Sequence, residues 1–331
     1  MKRLDPKEVL EGIHHADRRL LSKAITIIES HKFEDSKLAE SILLGLKFPE
    51  KKSIRIGISG IPGVGKSTFI ESFGMYLISL GKKVAVLAVD PSSPITGGSI
   101  LGDKTRMNKL AENFSAFIRP SPSSGNLGGV AKKTRDTILL CEAFGFEIIL
   151  VETVGVGQSE VAVENMTDLF VLLLLANAGD ELQGIKKGIM EMADMILINK
   201  ADGNNFIPAM NAKTEFENAM RLFKPKHKFW TAPVLAISSF EGKGLDLIWN
   251  QIENFLISAK ESVLEKRGRQ NQIWLWTSIK NKIDSEIDAL RKSHLKISEI
   301  EVDFQKNRIS SFKAVDLIIA EYKKNQTSEF V

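Results

Sequence analysis

Hydrophobic positions follow three different rhythms along the chain. From residue 6 to 47, Val9, Ile13, Leu20, Leu21, Ile25 and Ile28 recur at helical spacing, and the stretch LAESILLGL follows, so two N-terminal helices are expected. After the charged break PEKKS the pattern changes to short apolar runs bounded by turn residues: SIRIGISG, KVAVLAVD, AFIRPSP, FEIILVETVG, LFVLLLLA, MILINK and PVLAISS. Segments of helical pattern lie between most of them, including Ser67 to Leu80, Lys132 to Phe144 and Phe206 to Phe223. Runs apolar on both faces and separated by helices predict an α/β domain with a largely parallel sheet covered on both sides. Beyond Ser258 the strand-like runs stop. The remainder is charged and helical, with Trp274 and Trp276 in IWLWTSIKNKI and a later stretch SSFKAVDLIIAEYKK. This divides the chain into a helical extension over 1–52, an α/β domain over 53–258 and a helical arm over 259–331. The arm is too short for a core of its own and is expected to dock on its own domain or on another subunit.

Composition narrows the function classes. Hydrophobic residues make up 43% and charged residues 26% of 331 residues, values of an ordinary globular protein. A net charge of +4 spread along the chain argues against a nucleic-acid or anionic-membrane surface. The most apolar run, Leu169 to Ala176, falls far short of the about 20 residues of a membrane span and reads as a buried strand. Asp5, Glu8, Glu11 and Asp17 interrupt the start of the chain, so it reads as mature protein. The lone Cys141, in an apolar context, excludes disulfides and C-x-x-C sites and points to a reducing, cytoplasmic compartment. The five histidines are scattered and read as surface residues.

Chemistry is concentrated in the loops after the strands. Gly60-Ile61-Pro62-Gly63-Val64-Gly65-Lys66-Ser67, with Thr68 next, fits G-x-x-x-x-G-K-[ST] directly after a strand and before a helix. Its glycines let successive N–H groups face an anion, Lys66 adds a cation, and the Ser67 hydroxyl can ligate Mg²⁺. This is the phosphate loop of a P-loop NTPase. A magnesium nucleotide site also needs acids at the carboxyl ends of neighbouring strands, and Asp90 and Glu152 end two of them. Gly155, three residues after Glu152, can offer its N–H to a γ-phosphate. Asn199-Lys200-Ala201-Asp202 follows the strand MILINK, where a base-reading loop belongs. The Asp202 carboxylate can accept from guanine N1–H and its 2-amino group, whereas adenine offers an acceptor and no amine, so GTP is expected over ATP. Ser238-Ser239-Phe240, after the strand VLAIS, can close over the base edge.

These motifs, together with AVDPSSPITGGSILGDKTRM, RPSPSSGNLGGVAKKTRD, VETVGVGQSE and ANAGDELQGIKKGIMEMAD, resemble the MeaB-type GTPases, called MMAA in humans. The likeness is continuous over at least 57–202 and extends to the N-terminal helices and to RGRQNQIW. It implies a P-loop G domain with an N-terminal helical extension and a C-terminal arm that mediates homodimerisation. It further implies that Ser67, Asp90, Asp103 and Glu152 form the magnesium environment. Asp180, Glu181, Gln183 and Lys186 would lie in a switch coupling the GTPase to its partner. The family's role is to gate adenosylcobalamin delivery to methylmalonyl-CoA mutase and to protect that enzyme, with hydrolysis of GTP to GDP as the clock. Val156 follows the switch glycine and Gln158 comes two positions after that, so no glutamine sits where Ras-like enzymes orient water, and intrinsic turnover is expected to be slow. Lys66, Glu152 and Lys186 are the catalytic candidates, with Lys186 or a reoriented acid of the switch as the group that completes the site when a partner binds. Where many members read Ser-Ala-Leu, this chain reads Ser-Ser-Phe.

Three other readings stay open. A metal-inserting GTPase of the same fold class would need thiolates or a histidine tract. A transport-system kinase, a label related sequences have carried, would need an acceptor pocket with its own base. A non-catalytic nucleotide-loaded scaffold would not need Lys66 and Glu152, yet both are present. The chain also lacks a cobalamin-binding D-x-H-x-x-G segment, and no nucleic-acid or membrane partner is expected.

Overall fold

A computed structural model describes residues 4–30, 32–89, 107–120, 127–153, 159–176 and 187–328. All seven apolar runs are strands of one sheet: β1 (Ile54–Gly60), β2 (Val84–Val89), β3 (Ala116–Pro120), β4 (Ile148–Thr153), β5 (Leu169–Leu175), β6 (Met195–Asn199) and β7 (Val234–Ala236). Their order is β3-β2-β4-β1-β5-β6-β7, and every neighbouring pair is parallel. The fold is therefore that of a P-loop NTPase, as its sequence predicts. Two-sided burial explains the composition of the strands. In β5, Leu169, Val171 and Leu173 enter one core while Leu172 and Leu174 enter another on the opposite face. In β6, Met195 and Leu197 share the first core and Ile196 and Ile198 the second. The register Val171↔Met195 and Leu173↔Leu197 keeps like faces together, because a slip of one residue would exchange them.

The helix Lys66–Ser79 (α4) buries Phe69, Ile70, Phe73 and Leu77 against the first core. Near the chain's start the structure has three helices where two are expected: α1 (Pro6–His14), α2 (Arg18–Glu29) and α3 (Phe33–Leu44). The apolar period runs on across α1 and α2, but Ala16 takes φ 59° and Asp17 caps the new helix, accepting from the N–H groups of Arg19 and Leu20. A left-handed residue cannot continue a helix, and the cap fixes where the next begins. Gly12 makes the crossing possible, since a Cβ there would come within 2.1 Å of Leu20 Cδ1. The helix Leu127–Phe144 starts five residues before its apolar pattern is legible. It carries Glu142, which grips Arg55 of β1 through two bonds of 2.8 Å, explaining a buried arginine inside an apolar strand. Glu29 of α2 accepts from Arg119 at the end of β3, and Lys133 donates to the Glu29 carbonyl at 2.6 Å, so α2 lies on the domain's flank.

The chain forms two compact units, Met1–Arg267 and Gly268–Val331. In the second, Leu290, Ile297 and Ala314 are buried, while Trp276, Leu295 and Phe312 are largely exposed. Among the described residues no helix is long and apolar enough to cross a membrane.

At the amino ends of the strands, two buried carboxylates close the sheet. Asp168 accepts from the Arg55 N–H at 2.9 Å and from Arg267, and Asp194 accepts from the Phe170 N–H at 2.8 Å. Asp194 also accepts from His227 Nε2 at 2.8 Å, and His227 Nδ1 meets the Ser262 hydroxyl at 2.7 Å. His227 is thus buried, against the expectation that every histidine is a surface residue, and nothing in its local sequence reports partners 33 and 35 positions away. Burial acts to raise the Asp194 carboxyl, but the His227 hydrogen bond and the Lys226 and Lys266 charges outweigh it and hold it below the usual carboxylate range. A carboxylate with a lowered folded-state pKa stabilises the fold above its unfolded value of about 3.9 and loses that contribution as pH falls through the lower folded one. Asp194→Asn should cost about 3–5 kcal/mol at pH 7 in urea unfolding, and should flatten the loss of stability on acidification below about pH 4.

Candidate nucleotide-binding site

A parallel sheet gathers the carboxyl ends of its strands along one edge, and ligands bind there where strand order reverses. Gly60, Thr153 and Asn199 end β1, β4 and β6 on that edge, so three motifs far apart in sequence become neighbours. Gly60 sits tightly, because a Cβ there would come within 2.6 Å of the Leu173 carbonyl. Gly63 and Gly65 take φ 80° and 94°, the left-handed turns by which the loop Gly60–Gly65 folds over the start of α4. Lys66 is buried, and its ammonium donates to the Gly60 carbonyl at 2.6 Å and the Ile61 carbonyl at 3.2 Å. Its head lies inside the loop whose N–H groups would face phosphates.

Behind the phosphate loop, Ser67 is the second residue of α4 and its hydroxyl donates to Glu152 Oε1 at 3.4 Å. Glu152 is buried at the end of β4, beside Thr153, whose hydroxyl donates to Ser59 Oγ at 3.0 Å. A hydroxyl and a carboxylate this close form an oxygen-only donor pair of the kind a hard divalent cation takes, which fits Mg²⁺ and not a soft metal. Asp90 and Asp103, the other two expected members of that environment, lie outside the described residues, as do Gly155 and the switch residues Asp180, Glu181, Gln183 and Lys186. Among the described residues no group of three or more His, Cys, Asp or Glu side chains could hold a metal.

The loop after β6, where a base reader is expected, is joined to the G-x-x-x-x-G-K-S loop directly. Asn199 Nδ2 donates to the Val64 carbonyl at 2.9 Å, and Lys200 Nζ to the Gly63 carbonyl at 2.9 Å. Lys200 takes φ 61°, an uncommon conformation for a lysine, which turns the loop after β6. On its other side Asn199 Oδ1 accepts from the Ser239 hydroxyl at 2.7 Å and the Ser239 N–H at 3.1 Å. Ser238 donates to Asp202 Oδ2 at 2.5 Å, holding one oxygen of the carboxylate. Phe240 is 88% exposed at the rim. The structure thus brings together the phosphate loop, Glu152, Asn199, Lys200, Asp202 and Ser238 to Phe240. A residue that the motifs do not reveal is Ser72, one turn and a half along α4, which donates to the Ser239 carbonyl at 2.6 Å.

Residues 21–292 match the family described as the methylmalonyl Co-A mutase-associated GTPase MeaB. The chain belongs to the MeaB family. A probable GTPase of Mycobacterium tuberculosis is 51% identical over 276 residues, 82% of each chain. The mitochondrial methylmalonic aciduria type A homolog of Mus musculus is 41% identical over 324 residues, 94% of this chain and 78% of that one. A solved structure, described as an LAO/AO transport system kinase, is 33% identical and superimposes with a TM-score of 0.73 over 97% of this chain and 100% of its own. In this MeaB-family chain, Gly65 serves twice: its φ of 94° excludes most side chains, and a Cβ would come within 2.8 Å of Asn199 Nδ2. Gly65→Ala should therefore push the loops after β1 and β6 apart, and isothermal titration should find guanine-nucleotide affinity reduced by at least about 100-fold, since the left-handed backbone and the crowded Asn199 hydrogen bond together cost about 3 kcal/mol.

Proposed function

We propose that this chain is a GTPase that hydrolyses GTP to GDP and phosphate and, as a chaperone, gates adenosylcobalamin delivery to an acyl-CoA mutase, with methylmalonyl-CoA mutase as the first candidate. The observation that carries the nucleotide reading is the Asn199 amide, which ties the loop of the guanine-reading Asp202 to the phosphate loop at 2.9 Å. The partner reading rests on membership of a family described as mutase-associated.

The chemistry follows from the site. Asp202, tethered by Ser238, retains an oxygen to accept from guanine, and an adenine would leave it unpaired in a half-buried position. The loop N–H groups and the ammonium of Lys66, swung from its carbonyl partners, stabilise the charge that develops on the transferred phosphoryl group. Ser67 and Glu152 would hold Mg²⁺, with Asp90 and Asp103 as further members of its shell. Bound there, the ion neutralises phosphate charge and leaves the protein to position the attacking water. With Val156 at the position after the switch glycine, hydrolysis by the chain alone is slow, and the partner completes the site through Asp180, Glu181, Gln183 and Lys186. Completion of this kind is worth about 10³ to 10⁵ in rate. The exposed apolar Trp276, Leu295 and Phe312 of the second unit support a homodimer formed by the arm. A reducing, cytoplasmic setting agrees with the single cysteine, Cys141, which is buried and whose thiol is pushed up by that burial.

Purified protein should turn over GTP slowly and ATP negligibly, and an adenosylcobalamin-dependent mutase from the same organism should raise the GTP rate at least tenfold in a phosphate-release assay. Rapid turnover indifferent to any mutase would remove the partner assignment, and phosphate transferred to an acceptor other than water would favour a kinase. Lys186→Ala should leave the intrinsic rate within about twofold while abolishing most of the stimulation, as expected for a group used only in the completed site. Unchanged stimulated turnover would remove Lys186 from the catalytic set.

A further inference from the structure

A second concavity lies at the amino ends of the strands, away from the phosphate loop. It is a cleft of about 220 Å³ between the entry to β1 and the first turns of the helix Lys260–Ser293. A closed apolar cavity of about 150 Å³ already takes a benzene molecule, so the cleft has room for a small organic ligand. Lys260, Val263, Leu264 and Arg267 line it from one helix, and their spacing of three, four and seven residues puts them on one face. Ile54 and Leu256 complete an aliphatic wall with Val263 and Leu264, and Leu264 is 49% exposed. Lys52 adds a third cation to Lys260 and Arg267.

The polar side chains of the cleft have donors to spare and acceptors already used. Asp168 Oδ1 accepts from Arg267 Nε at 2.6 Å, and Oδ2 accepts from the Arg55 N–H at 2.9 Å and Arg267 Nη2 at 2.6 Å. The Ser53 carbonyl accepts from Arg267 Nη2 at 2.6 Å, and the Ser53 hydroxyl donates to the Phe146 carbonyl at 2.5 Å. A guanidinium carries five N–H bonds, and these contacts engage Nε and Nη2, so the two N–H bonds of Nη1 have no acceptor among the described residues. The Arg267 side chain is only 15% exposed and is held in place by its carboxylate. Among the described residues the ammonium groups of Lys52 and Lys260 form no ion pair. A bare hydrocarbon in the cleft would leave these donors unmet, and a bare inorganic anion would leave the aliphatic wall wet. The complementary ligand accepts at one end and is apolar at the other.

We propose that this cleft binds a small amphiphilic anion, a carboxylate or phosphate monoester whose head meets Arg267, Lys52 and Lys260 and whose short aliphatic tail covers the Ile54, Leu256, Val263 and Leu264 wall. Ile54 opens β1 and Gly60 ends it, about 20 Å away at strand rise, so this ligand is not the nucleotide. The site shares no residue with the phosphate and base loops and stands whether or not the guanine reading does.

The test titrates the full chain by ligand-observed NMR in about 0.15 M salt, with hexanoate, hexyl phosphate, acetate, inorganic phosphate and 1-hexanol as probes. Each buried methylene is worth about fourfold in affinity, so hexanoate should bind at least about tenfold tighter than acetate even with its tail half covered. Hexanol has the tail without the charge and should bind at least about fivefold more weakly than hexanoate. Whichever of hexanoate and hexyl phosphate binds tighter identifies the head. Lys52 and Lys260 are exposed, so Lys52→Glu and Lys260→Glu should leave the fold intact and each weaken hexanoate at least about fivefold. Leu264→Asp should erase the preference for hexanoate over acetate. Equal binding of hexanoate and hexanol, unchanged affinity in both lysine variants, or no saturable binding of either amphiphile would overturn the proposal. If neither amphiphile binds and Leu264→Asp dissociates a self-associated form in sedimentation, the cleft is a contact between copies of the chain and the proposal falls.

Discussion

The site depends on one side-chain amide. Asn199 ends β6, yet its nitrogen is bonded to the loop after β1 and its oxygen to the loop after β7, so three strand ends are fixed against each other by one planar group. The contact requires a glycine at position 65, since any side chain there would occupy the space of the amide nitrogen. The loops after β1 and β6 are therefore held together. A nucleotide bound across both meets a pre-formed surface, which lowers the ordering cost of binding.

The opposite edge of the sheet carries different physics. Asp168 and Asp194 stand just before β5 and β6 and accept from the N–H groups of Arg55 and Phe170, the second residues of β1 and β5, donors that would otherwise be orphaned in a dry interior. Each carboxylate meets cations, Arg267 at Asp168 and Lys226 and Lys266 at Asp194, where the His227 ring nitrogen adds a hydrogen bond. Arg267, Lys266 and Ser262 all lie on the first turns of the long helix Lys260–Ser293, so the charges that close the sheet also fasten the root of that helix to the first unit. Chemistry occupies one end of the domain and anchoring the other, because parallel strands collect all their carboxyl ends together and all their amino ends together.

Much of this was legible in the residues. The seven apolar runs are the seven strands, because burial on both faces of the central strands leaves short, uninterrupted apolar runs bounded by turn residues. The phosphate loop, Glu152 and the Asn199 to Asp202 loop are legible for a different reason: their chemistry requires particular residue types at fixed spacing next to a strand end. Boundaries set by backbone geometry were not legible. The break at Ala16 interrupts an apolar period that runs on regardless, and the helix Leu127–Phe144 begins in a glycine-containing stretch with no apolar stripe. Ser72 and His227 carried no signal, since each owes its place to partners remote in sequence.

The sequence alone determined the class of fold and placed the G-x-x-x-x-G-K-S and N-K-x-D motifs at strand ends, because strand periodicity and motif spacing are local properties of the chain. Tertiary structure decided the rest: that Asn199 grips Val64, that Ser72 reaches Ser239 across 167 positions, and that His227 is buried beside Asp194. Hydrogen bonds of this kind are chosen by which strand ends the sheet order makes neighbours, and strand order is a property of the packed whole that no window of residues contains.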